Sequence, residues 1–125
     1  MKLLLDTHIF IWWLNDDVNL SQKARTHIEE AHEIYISSAS IWEACIKIQL
    51  GKLDININQL VDSIDHEGFI ELPVSIKHVA NLTKLAHHHR DPFDRILIAQ
   101  TMSEPLNFLT SDKVLLNYSE LVYLV

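Results

Sequence analysis

Short apolar runs of strand character alternate with helical patterns along the whole chain, and this alternation restricts the fold more than any other feature. Strands are expected near 2–6, 33–37, 69–72, 106–110 and 121–124, apolar at most positions as strands buried on both faces tend to be. Helical periodicity falls between them, near 8–14, 21–32, 39–50, 57–66, 75–86 and 92–103, with a short turn near 113–117. Gly51-Lys52 stops the third helix and Pro73 closes the third strand. A βα order of this kind predicts a three-layer α/β/α sandwich around a mostly parallel five-stranded sheet, joined by right-handed crossovers.

The 125 residues suit one domain over 1–125 that buries roughly two-thirds of its unfolded surface. With 48% hydrophobic residues, two glycines and three prolines, the composition is that of a compact globule without repeats. Cys45 is the single cysteine, so no internal disulfide or Cys/His zinc finger is available, and a reducing cytoplasm is the expected setting. After Met1-Lys2 the apolar run lasts three residues before Asp6, too short for a signal-peptide core or a membrane span.

A net charge of −7 argues against a module that holds nucleic acid by phosphate neutralisation alone. It leaves nucleic-acid chemistry open, because acids that bind a divalent ion present the metal's charge to the phosphate.

Five acids sit where strands give way to helices: Asp6, Glu43, Asp91, Asp94 and Asp112. In an open parallel sheet, sites form beyond the carboxyl ends of the strands at the switch in strand order. Asp6 ends the first strand and Asp112 follows the fourth, while Glu43, Asp91 and Asp94 are placed in the first turn of apolar helices. Each acid also has a structural use. Ser40-Ile41-Trp42-Glu43 fits a capping box, and Asp91-Pro92-Phe93-Asp94 fits a helix start with Asp91 as N-cap. Asp112 can cap the last turn, and Asp6 can be a turn residue.

Helical spacing gives Glu43 a face with Ala39, Ile46 and Leu50, and sets Asp94 one turn before Leu97 and Ile98, so both point to the core edge. Three carboxylates about 4 Å apart repel by roughly 4 kcal/mol per pair at an effective dielectric near 20. Three such pairs rival the whole stability of a domain. The cluster persists only when protonated or loaded with divalent cations. Oxygen ligands without imidazole or thiolate select Mg²⁺ or Mn²⁺, and the matching chemistry is hydrolysis of a phosphate ester by a metal-activated water.

Leu4-Leu5-Asp6-Thr7-His8, Ser40-Ile41-Trp42-Glu43-Ala44, Arg90-Asp91-Pro92-Phe93-Asp94-Arg95 and Thr110-Ser111-Asp112 occur in one order and spacing. In these four motifs, and in Asp91 to Gln100 as D-P-F-D-R-x-L-x-A-Q, the chain resembles the PIN domain, in particular its VapC-like toxin branch. The resemblance covers essentially the whole chain. It implies a Mg²⁺- or Mn²⁺-dependent endoribonuclease acting on RNA, restrained by a cognate antitoxin, in a homodimer or a toxin–antitoxin hetero-oligomer. It further implies that Asp6, Glu43 and Asp94 are the principal acids and Asp112 the fourth. Thr7 and Thr110 match hydroxyl positions beside the metal. Asp91 is a cap, a water-mediated ligand or a substitute carboxylate, and Arg95 a partner for an acid or for substrate phosphate.

Other residues carry weaker signals. His87-His88-His89-Arg90 reads as a solvated helix end or as a phosphate contact, and His8 as a polar helix edge or a substrate contact. Phe10, Trp12 and Trp13 read as packing or as an interface cluster, and Cys45 as buried packing. Two other function classes share a parallel sheet of this kind. An aspartate-based phosphatase or phospho-receiver needs an acid two positions after Asp6 or an acidic pair before it, and the chain has His8 and leucines there. A catalytically silent scaffold of the same fold, binding only a protein partner, is the other.

Overall fold

The computed structural model describes residues 1–87 and 90–125. The elements are β1 (Lys2–Leu5), α1 (Thr7–Leu14), α2 (Gln22–Glu30), β2 (Glu33–Ser37), α3 (Ser38–Gln49), α4 (Ile57–His66), β3 (Ile70–Leu72) and α5 (Ile76–Ala80). After a 3-10 turn (Asn81–Lys84) follow α6 (Pro92–Ser103), β4 (Asn107–Thr110), a second 3-10 turn (Lys113–Asn117) and β5 (Val122–Leu124). The strands form one sheet in the order β3-β2-β1-β4-β5, and every pairing is parallel.

β1 lies at the centre, and Leu3, Leu4 and Leu5 have no exposed surface. A strand covered on both faces must be apolar throughout, which is why these three consecutive leucines form one. The alternation sends Leu3 and Leu5 to one face, where they pack with Ile34, Ile36, Ile9, Phe10, Ala24, Leu60 and Ile64 of β2, α1, α2 and α4. Leu4 and Phe108 point to the other face, against Ile96, Leu97 and Ala99 of α6. The result is the expected three-layer α/β/α sandwich. α3 serves both layers, with Ala44 in the first core and Ala39 in the second. It also touches α1, α4 and α6, at the edge where β1 and β2 end.

Two helix boundaries differ from the sequence reading in ways that bear on the site. α3 begins at Ser38 because Ser37, whose hydroxyl accepts from the amide of Ala39 at 3.0 Å, is its cap. Ser40 is therefore inside the first turn, and Glu43 stands in the second turn rather than the first. The Ser40–Glu43 capping box does not form. At the other end the Lys52 amide donates to Lys47 O at 2.8 Å and the Gly51 amide to Ile48 O at 3.1 Å, a Schellman closure that needs the left-handed φ of +72° at Gly51.

The helix expected over 75–86 is instead α5 followed directly by the 3-10 turn. A capping box is present here: the Ser75 hydroxyl accepts from the His78 amide, and His78 Nδ1 accepts from the Ser75 amide at 3.0 Å. His78 Nε2 lies 3.1 Å from Glu104, tying α5 to the end of α6. Phe10 belongs to the core, and Trp12 and Trp13 pack half-buried against it. His87 and Arg90 are exposed, whereas His88 and His89 lie outside the described residues. Among the described residues no helix is long and apolar enough to cross a membrane.

Candidate active site

The chain runs from β1 outwards to β2 and β3, then returns to place β4 on the other side of β1, so the strand order switches between β1 and β4. Crevices in open α/β sheets lie at this point, beyond the carboxyl ends. Asp6 follows β1 directly and Thr110 ends β4, so the two face each other across the switch.

Asp6 is the N-cap of α1, only 5% exposed, and its backbone amide donates to Leu109 O at 3.0 Å. Its Oδ1 accepts from the amide of His8 at 2.9 Å and its Oδ2 from the hydroxyl of Thr110 at 2.7 Å. Thr110 Oγ1 in turn accepts from the Asp112 amide at 3.1 Å, and Asp112 Oδ1 caps the following 3-10 turn through the Val114 amide. One hydroxyl therefore links the acid after β1 to the acid after β4.

Burial pushes the Asp6 carboxyl above the ordinary aspartate range. The Thr110 and His8 hydrogen bonds and the nearby His8 imidazole, with Nδ1 3.8 Å from Oδ1, pull the other way, and the negative charge of Glu43 adds to the rise. A carboxylate raised by desolvation and by a second carboxylate binds a proton or a cation more readily than an exposed one.

Glu43 comes to this place on the second turn of α3, 7% exposed. Its Oε2 lies 2.8 Å from Nζ of Lys47, one turn on. This pair went unread in the sequence although the i,i+4 spacing of Glu and Lys is its signal. Ser40, one turn before Lys47's partner, accepts from the hydroxyl of Thr7 at 2.8 Å in a buried bond that ties α1 to α3. Thr7 thus spends its proton on holding two helices together.

Asp91 caps α6, its Oδ1 accepting from the amides of Phe93 and Asp94 at 2.8 and 3.2 Å. Asp94 is half-buried in the first turn. Phe93 beside it meets Trp42, the neighbour of Glu43, edge to face at 5.0 Å, so the start of α6 abuts the middle of α3. Arg95 turns away from the acids: its guanidinium donates to Ala86 O at 3.0 Å, Leu82 O at 3.4 Å and the Tyr118 hydroxyl at 3.2 Å. It fastens the segment before α6 to the helix.

Asp6 and Glu43 are therefore electrostatically coupled, Asp112 is linked to Asp6 through Thr110, and Asp94 enters from the adjoining helix. Among the described residues no three His, Cys, Asp or Glu side chains stand close enough to hold one metal ion. The donors are all oxygen, which fits a hard divalent cation, while Lys47 already answers the charge of Glu43.

The family model for the PIN domain matches residues 3–121. The chain belongs to the PIN domain family. Among solved structures it is similar to a VapBC2 complex from Rickettsia felis bound to a DNA fragment from its promoter, with a TM-score of 0.70 at 15% identity over 100% of this chain and 98% of that one. A toxin–antitoxin complex from Klebsiella pneumoniae gives 0.69 at 16% identity over 98% and 99%, and FitAcB from Neisseria gonorrhoeae gives 0.63 at 16% over 90% and 89%. At these identities the likeness establishes the fold. No curated protein matches the chain in sequence.

Proposed function

We propose that the protein is a metal-dependent endoribonuclease, the toxin of a toxin–antitoxin pair, acting in the cytoplasm. The observation that carries this reading is the buried Asp6, held by Thr110 across the β1–β4 switch point and coupled to Glu43. Membership of the PIN family and structural likeness to proteins solved as toxin–antitoxin complexes support it.

In this reading Asp6, Glu43 and Asp94 hold Mg²⁺ or Mn²⁺, with Asp112 completing the acidic edge and Asp91 fixing the helix that presents Asp94. The ion, when bound, supplies Lewis acidity towards water and a phosphoryl oxygen. The chain's own part is to orient donors. Thr110 fixes the Asp6 carboxylate through Oδ2, and the His8 amide fixes it through Oδ1, so the group does not rotate away. Lys47 neutralises Glu43 until a cation arrives. The Thr7–Ser40 bond keeps α1 and α3, which carry Asp6 and Glu43, in register. An antitoxin partner restrains the activity by covering this edge.

The test is cleavage of total RNA by the wild type and by Asp6→Asn, with and without divalent metal. Cuts that need both the metal and Asp6 are expected. Undiminished cleavage in EDTA, or by Asp6→Asn, would overturn the mechanism. The Lys47–Glu43 pair and the spacing of the acids favour one alternative, a silent PIN-fold module that binds a protein partner without turnover; absence of any cleavage with either metal, alongside antitoxin binding, would select it.

A further inference from the structure

Between its two ends α3 is an apolar helix, and the polar side chains it does carry there, Ser40, Glu43 and Lys47, fall three and four positions apart on one stripe. Ser40 holds α1 through Thr7, Glu43 belongs to the acidic edge, and Lys47 brings a cation onto that edge, with Nζ 2.8 Å from Glu43 Oε2. Among the described residues Lys47 is the one ammonium or guanidinium in an ion pair with Asp6 or Glu43. Arg95, the basic residue next to Asp94, spends its donors on Leu82 O, Ala86 O and the Tyr118 hydroxyl instead. Lys47 keeps 32% of its side-chain surface exposed while Glu43 is buried, so the lysine is the member of the pair that can leave.

We infer that Lys47 is a substrate-binding residue that changes partner, from Glu43 in the free protein to a phosphate of the nucleic-acid strand once a divalent cation occupies the acidic edge. The inference rests on the nuclease reading and adds to it a link between metal and substrate. An ammonium and a divalent ion compete for the same Glu43 oxygen, and at a given distance a dication repels Lys47 twice as strongly as a single charge does. The four-carbon stem of lysine is flexible, so the head group can leave Glu43 while α3 stays in place. Its compact charge binds phosphate. On a chain of net charge −7, the anions that come to this edge in the nuclease reading are the phosphates of the strand. Lys47 displaced from Glu43 is free for phosphate, and Lys47 held by phosphate leaves Glu43 open to the ion. Metal and strand must therefore strengthen one another's binding by the same factor. A Glu–Lys pair that only braces one turn of helix carries no such linkage.

Two binding measurements on the whole chain test it without any reading of cleavage: Mn²⁺ by the paramagnetic resonance of the free ion, and a labelled single-stranded oligodeoxynucleotide by anisotropy. The oligodeoxynucleotide carries the phosphates without being RNA. Wild type, Lys47→Met and Lys47→Arg are compared, each checked for wild-type circular dichroism, with Lys47→Gln replacing the methionine variant if that one does not fold. Without oligonucleotide, Lys47→Met is expected to bind Mn²⁺ roughly fivefold or more tighter than the wild type, its competitor being gone. Without metal, the wild type and Lys47→Met should bind the oligonucleotide within about twofold of each other, because Glu43 still holds the lysine. At saturating Mn²⁺ the wild type should bind it roughly fivefold or more tighter than Lys47→Met, with Lys47→Arg recovering most of that gain. A gap between wild type and Lys47→Met that is the same with and without Mn²⁺ overturns the inference and makes Lys47 part of a general basic surface. No gap in either condition overturns it equally and leaves Lys47 as a brace for Glu43. In both cases Mn²⁺ still binds and the nuclease reading stands, whereas Mn²⁺ that binds none of the proteins removes both.

Discussion

Thr110 donates its hydroxyl proton to Asp6 Oδ2 at 2.7 Å across 104 positions of sequence, joining the ends of two neighbouring strands. The same oxygen of Thr110 accepts from the Asp112 amide, so a single side chain decides where two of the acids stand.

Thr110→Val keeps shape and removes both bonds. Leaving Asp6 and the Asp112 amide short of a partner in a buried site should cost about 2 kcal/mol. Denaturant unfolding checks the cost, and RNA cleavage should fall with the fold intact. Unchanged stability would show that water replaces the hydroxyl at no loss.

Asp6→Asn should stabilise the metal-free protein, with a defined dependence on pH. The folded-state pKa of Asp6 is raised, so the folded chain holds that proton more tightly than the unfolded chain does. This contribution is most favourable at low pH, is lost as pH climbs from the unfolded value of about 3.9 to the raised folded value, and stays lost above it. Comparing melting temperatures of the two proteins across that window isolates Asp6 from the other acids. The variant's advantage should open as pH rises; an advantage that is constant with pH would mean ionisation is not its source.

Lys47→Met should destabilise by about 1–2 kcal/mol, between the values for exposed and buried ion pairs, because Glu43 is left 7% exposed without its counter-charge. Added Mg²⁺ or Mn²⁺ should then raise the melting temperature of the variant more than that of the wild type, since the metal takes over the role of the ammonium. Equal shifts in the two proteins would separate Glu43 from the cation.

Gly51→Ala should cost about 1 kcal/mol through backbone strain alone, since φ is +72° and nothing lies within 4 Å of an added Cβ. Thermal unfolding measures it. A neutral substitution would show that the closure of α3 tolerates another conformation.

The sheet was legible because β1 is buried on both faces, and three leucines in a row followed at once by an acid leave few other readings. Asp91-Pro92 announced α6 by local chemistry that tertiary packing did not disturb. Glu43 was misplaced by a turn because Ser37 and Ser40 are both credible caps, and the choice rests on β2 ending at Ser37. Arg95 was read towards acid or phosphate, since a sequence shows that a guanidinium is present but not that the carbonyls of Leu82 and Ala86 lie within its reach. The helix over 75–86 gave way because Ser75 and His78 cap one another over a short turn, a pairing outside the usual Ser-to-Glu pattern. Trp42 passed as part of a motif, and its exposure depends on how α3 crosses α6.

The central position of β1 has a consequence for synthesis. β1, β2 and β3 can pair as they emerge from the ribosome, but the other flank of β1 stays bare until Asn107–Thr110 arrives. Asp6 has no route to its hydroxyl partner before position 110 has been translated, so a growing polypeptide carries its acidic edge unfinished until that point.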